Sequence, residues 1–222
     1  MPPIVLLVLE SLFLFASTAS QEQPRELKAG GHVLGETAEQ FFSVGPVGLL
    51  AHACEAKDWK TVKSLANTVE RLSKVPAKEV CFQLTRVKHE AISGAREEYE
   101  AAGDIETLRS DTFTLDHGRL VKIRLIYAIP NAEIEGLKPK PFEELFAGLR
   151  EAYGEPSKTY AETVVDTFGV RRDAHRAIWF GEQDVISVTE RPGDHGQTEI
   201  IAETLAEYKL EEQMPKNANP LQ

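Results

Sequence analysis

Basic residues are in the minority in this chain. Lysine and arginine number 25 against 35 aspartates and glutamates among 222 residues, a formal net charge of −10. Sequence-independent nucleic-acid binding needs a basic surface that displaces phosphate counterions, so that class of function is excluded. The acidity supports solubility instead. Beyond the first twenty residues no apolar stretch approaches bilayer-spanning length, so no stable membrane span is expected once that segment is removed. Catalytic signatures are missing as well. There is no G-x-x-x-x-G-K-[ST] phosphate loop, no G-x-S-x-G nucleophile elbow and no calcium loop. His89-Glu90 opens a zinc-protease helix motif, but Ser93 stands where the second histidine belongs. None of the six histidines, His32, His52, His89, His117, His175 and His195, lies three or four residues from another, so no helix presents a ligand pair. No catalytic residue, metal ligand or cofactor is assigned on this basis. Fixed-period repeats and low-complexity tracts are also absent.

What is present is an ordinary globular composition, 42% hydrophobic and 27% charged, long enough for one domain or two small ones. Ile4 to Ala16 is an apolar run interrupted by Glu10 and Ser11, and the small residues Ala16-Ser17-Thr18-Ala19-Ser20 follow it. This pattern reads as a signal peptide over residues 1–20, cut after Ala19 or Ser20; the alternative is an uncleaved anchor. No lysine or arginine precedes the run, and no cysteine follows it to accept a lipid. Export to a periplasm or the extracellular medium makes the only two cysteines, Cys54 and Cys81, an expected disulfide, with two buried thiols as the alternative.

The chain in order begins with a polar, flexible lead-in over residues 21–35. Glu36 to Phe42 reads as a short helix that Thr37 can cap. Pro46 opens a second helix, with Val47, Leu50, Ala51 and Cys54 on one apolar face. Asp58 caps a third, with Val62, Leu65, Ala66, Val69 and Leu72 inward. Pro76 starts a fourth, on which Val80, Leu84, Val87, Ala91 and Ala95 repeat at helical spacing. Glu97 to Asp111 is acidic and weakly patterned, so it reads as a frayed helix tail or a linker.

A β-hairpin is expected from Thr112 to Ala128. A two-residue His117-Gly118 loop would set Phe113 opposite Lys122. A three-residue Asp116-His117-Gly118 loop sets Phe113 opposite Val121 and continues one apolar face through Ile123, Leu125 and Tyr127. The second register buries more, so it is the expected one. Pro130 to Pro141 is a loop. Pro141 to Tyr153 is a helix with Phe142, Leu145, Phe146, Leu149 and Tyr153 on one face and Gly154 as its stop. Four strands follow: Thr159 to Phe168, Ala174 to Phe180, Asp184 to Thr189 and Gln197 to Leu205.

Helices, a hairpin, a helix and then a meander give an α+β fold, with a helical N-terminal half packed on an antiparallel sheet. The single domain spans 36–205, its helical part 36–110 and its hairpin-helix-meander part 111–205. Residues 206–222 read as a charged helical end and a disordered tail.

Two segments carry a likeness to known proteins. Gly31-His32-Val33-Leu34-Gly35-Glu36-Thr37, leading into a helix that ends Phe41-Phe42, resembles segments of uncharacterised secreted bacterial proteins. Phe142-x-x-Leu145-x-x-x-Leu149-x-x-x-Tyr153-Gly154-x-Pro156 before strands resembles the helix-then-strands unit of small outer-membrane-assembly lipoproteins and of proteinaceous β-lactamase inhibitors. Members of those groups mostly bind other proteins, so the resemblance implies binding rather than catalysis.

Carboxylate runs such as Glu97-Glu98, Glu143-Glu144 and Glu211-Glu212 read as solvated faces. Val170 to Arg176 is the one locally basic stretch. Arg171, Arg172 and Arg176, with Trp179 just beyond, form the candidate partner-contact patch. The leading expectation is an exported, non-catalytic protein that binds a protein or envelope component. The alternative is a secreted hydrolase whose active site follows no motif.

Overall fold

The computed structural model describes residues 27–67, 74–102, 109–128, 141–165, 170–191 and 197–213. The expected signal segment with Ala19 and Ser20, the tail 214–222, and Val69, Leu72 and His195 lie outside these residues. Four helices come first: α1 (Ala38–Phe41), α2 (Gly45–Glu55), α3 (Trp59–Asn67) and α4 (Ala77–Ile92). Local chemistry explains their starts. Thr37 and Gln40 cap α1 reciprocally through each other's backbone N–H. Pro46 sits in the first turn of α2, where its missing N–H costs nothing. The Asp58 carboxylate accepts from the Thr61 backbone N–H at 3.2 Å and starts α3. A disulfide joins Cys54 on α2 to Cys81 on α4.

Three strands follow, β1 (Glu97–Ala102), β2 (Arg109–Asp116) and β3 (Arg119–Ala128), then α5 (Phe142–Tyr153). The chain continues as β4 (Lys158–Val165), β5 (Arg171–Phe180), β6 (Asp184–Arg191) and β7 (Gln197–Thr204), and α6 (Leu205–Gln213) comes last. All seven strands form one antiparallel sheet in the order β1-β2-β3-β7-β6-β5-β4. The fold is α+β.

The hairpin corrects the expected register. Asp116 pairs with Arg119, so the loop is two residues, His117 and Gly118, with positive φ at both (49° and 73°). That is the type I′ geometry whose twist matches its strands. Leu115 then pairs with Leu120, but Phe113 pairs with Ile123, because the register shifts between Thr114 and Leu115 and leaves Val121 as a bulge. The bulge does what a longer loop was expected to do. It lets Leu120, Ile123, Leu125 and Tyr127 all turn into the core and keeps Lys122 off it.

Glu97–Ala102 is likewise a strand, not a helix tail or linker. It pairs along β2 from Glu97 opposite Leu115 to Ala102 opposite Ser110. The helical part therefore ends at Ile92, where α4 ends, and Ala95 beyond it is exposed. Within the lead-in, Ala29 and His32 are buried.

One face of the sheet carries the main core. Phe113, Leu115, Ile123 and Leu125 meet α1 to α4 at one end, and Ala177, Trp179, Ile186, Val188 and Ile200 meet α5 at the other. Phe146 of α5 lies 6.0 Å from Trp179 between ring centroids, and the Trp179 indole N–H donates to the Gly154 carbonyl at 2.9 Å. Trp179→Phe keeps the aromatic volume and deletes this bond. It is expected to cost about 1 kcal/mol in urea unfolding, the net worth of one hydrogen bond. An unchanged midpoint would show that the bond carries no stability.

Candidate functional site

Residues along a strand alternate between faces, and the register fixes which residues share one. Opposite the main core, the second face carries Lys122 and Arg124 of β3, Glu199 and Glu203 of β7, Ser187 and Thr189 of β6, and Arg176, Ile178 and Phe180 of β5. The only helix on it, among the described residues, is α6. Tyr208 packs edge-on against Phe180 at 5.4 Å and joins a small cluster with Ile178 and Val185. Ion pairs hold α6 on either side of that contact. The Arg96 guanidinium donates to both oxygens of the buried Glu207, at 2.5 and 3.1 Å. The Lys122 ammonium donates to Glu211 at 2.5 Å. The buried Glu199 carboxylate accepts from Arg124.

Among the described residues, the same face holds three polar atoms buried without a hydrogen bond: Arg176 Nε, Ser187 Oγ and Glu203 Oε2, the last 3.8 Å from the Lys122 ammonium. They lie on a diagonal across β5, β6 and β7, because Ser187 sits one row from each of the other two. A buried unpaired donor or acceptor costs about 1–3 kcal/mol, so three on one diagonal call for a polar partner. Burial pushes the Glu203 carboxyl up to about 7, with Glu211 and Glu207 adding to the rise and Lys122 and Arg176 opposing it.

Beside Arg176 and the end of α6 opens a cleft of about 250 Å³, with Tyr160, His175, Arg176, Thr189 and Glu212 at its polar positions and Ala174 and Ile178 as its apolar floor. Tyr160 is on β4, the edge of the sheet, and is 47% exposed. Glu212 accepts a hydrogen bond from the Tyr208 hydroxyl at 3.0 Å, which holds its side chain along α6. Arg176 forms no hydrogen bond or ion pair within the described residues, although Glu212 lines the same cleft.

The residues singled out from sequence are separated. Trp179 is buried under α5 and faces the main core. Arg176 lies on the opposite face, because the two differ by an odd number of residues on one strand. Arg171 is exposed at the far end of β5, and the side chain of Arg172 is outside the described residues. Trp179 therefore does not share an exposed patch with Arg171 or Arg176, and of these three it is Arg176 that lines the cleft. His175, half-exposed, pairs with Glu190 at 2.7 Å and lies with its ring tilted 5.8 Å from Phe142, and it borders the cleft beside Arg176. His117 stands exposed in its turn.

Sequence reading missed His32. It is fully buried, with Nδ1 3.0 Å from Glu36 Oε2 and its ring 4.3 Å from Phe41 and 5.1 Å from Phe113. Its Nε2 has no hydrogen-bond partner and lies against Gly45, where an added Cβ would sit 2.1 Å from the Gly30 carbonyl oxygen. This is a close-packed knot rather than an open site. The paired glycines before His32 were its only sequence signal. Among the described residues there is no group of three or more His, Cys, Asp or Glu placed to hold a metal. No helix among them is long and apolar enough to cross a membrane. Comparison with known protein families, with curated proteins and with solved structures finds no match for this chain.

Proposed function

We propose that the chain is an exported, non-catalytic binding protein, and that it receives a protein or envelope component on the sheet face beside α6. The observation that carries this reading is Arg176, a half-buried guanidinium whose Nε is buried without a hydrogen bond, at the wall of a cleft whose rim is the exposed Tyr160. A guanidinium is the side chain best suited to directional recognition of an anionic group, and its desolvation strengthens that contact. The signal-like N-terminus and the disulfide support export. The helix-then-strands resemblance supports binding over turnover.

Position-specific photo-crosslinking tests this. A benzophenone side chain at Tyr160 is expected to yield a discrete adduct in a native secretion or envelope extract, and R176Q is expected to abolish it. The same probe at Gln83, exposed on α4, is expected to yield none. Equal adducts from both positions, or none from position 160, would overturn the assignment of this face.

A further inference from the structure

We infer that the cleft seats a small zwitterion of the free α-amino acid type. The inference rests on the binding reading above and names the ligand class of that site. Arg176 and Glu212 carry opposite charges and line one cleft, yet they form no ion pair within 4.0 Å. Arg176 feels Glu203 beneath it and Glu212 is exposed, but neither neutralises the other, so a zwitterion can present a counter-charge to both at once. Its carboxylate takes the Arg176 guanidinium in a charge-assisted, two-point contact. Its ammonium takes the Glu212 carboxylate, which the Tyr208 hydroxyl already orients. The hydroxyls of Tyr160 and Thr189 are additional polar contacts at the wall. Ala174 and Ile178 are buried and form a floor for an apolar side chain. A cleft of about 250 Å³ has room for a molecule of that size, free or as the end group of a larger partner. An anion alone would meet Glu212 as a like charge, and a cation alone would meet Arg176. The pair therefore selects the zwitterion against both half-ligands.

The test is an NMR titration that follows the Nε–Hε signal of Arg176 in arginine-labelled protein. L-leucine is the probe. 4-Methylpentanoate lacks its amine, and isopentylamine lacks its carboxylate. The expected result is a saturable shift with leucine and binding at least about tenfold weaker for each half-ligand, the size of one lost charge-assisted bond. Glu212 is exposed, so E212Q leaves the core intact, and in that variant leucine and 4-methylpentanoate are expected to bind alike. No saturable shift with leucine, or equal binding of leucine and 4-methylpentanoate to the unaltered protein, would overturn the inference. An Arg176-dependent adduct at position 160 alongside such a result would leave the binding reading standing. Loss of both would remove both.

Discussion

Replacing Cys54 and Cys81 together with serine is expected to lower the melting temperature by about 6–15 °C. The two cysteines are 27 residues apart in sequence. In the chain-entropy treatment, opening a loop of that length loses about 3–4 kcal/mol. For a domain of this size each kcal/mol moves the midpoint by about 2–4 °C. The loop contains α3, whose hold on the core is two fully buried residues, Val62 and Ala66, with Leu65 partly buried. The bridge fixes α2 to α4, the neighbours of α3, and α4 itself buries only a narrow stripe, Val80, Cys81, Leu84 and Ala91. Loss should therefore be uneven. Hydrogen exchange should speed up across α2, α3 and the start of α4, and stay slow in β3 and β7 at the centre of the sheet. A melting temperature within 2 °C of the unaltered protein, or uniform acceleration over helices and sheet alike, would contradict this role for the bridge.

Glu203→Gln is expected to stabilise the protein by about 2–3 kcal/mol at pH 8 and to leave it unchanged below pH 4. The buried carboxyl of Glu203 titrates at about 7 in the folded chain, against 4.5 as the ordinary value. Burial is the main cause, since the charged form loses its water while Lys122 stands 3.8 Å away and hydrogen-bonds Glu211. The folded chain holds this proton where the unfolded chain has released it. Stability therefore falls as pH rises from about 4.5 to about 7, and the penalty is constant above that. Glutamine keeps the shape and cannot ionise, so it escapes the penalty. Urea unfolding of both proteins at pH 4, 6 and 8 checks this through their difference, which cancels every other titrating group. A gap that does not change with pH, or a less stable variant at pH 8, would show that Glu203 is charged and paired in the fold.

The helix α5 was fully legible because each signal agreed. Glu143 and Glu144 begin it, Arg150 lies in its last turn and Gly154 stops it at φ +78°. The hairpin was legible as a hairpin but not in register. A bulge at Val121 and a longer loop both reconcile the apolar pattern, and only pairing separates them. Glu97–Ala102 reads poorly as a strand because five of its six residues are Glu or Ala in the run EEYEAA, with Tyr99 the one large residue. Its conformation comes from β2, which offers it an edge, so tertiary pairing overrides propensity.

The cleft was the least legible part. Tyr160, Arg176, Thr189 and Glu212 come from four elements and meet only through the order β6-β5-β4 and the docking of α6. Strand parity alone held one usable clue. Arg176, Ile178 and Phe180 share a parity that Trp179 does not, so arginine and tryptophan on β5 were bound to part.

Native mass spectrometry of the oxidised protein, before and after exposure to a native envelope extract, tests most directly whether the face beside α6 is the working one. The unaltered chain is expected to retain a bound ligand or partner mass, and R176Q, equally folded, is expected to lose it. A bound mass that survives R176Q, or an unaltered chain that carries none under the same conditions, would contradict the assignment of function to this cleft.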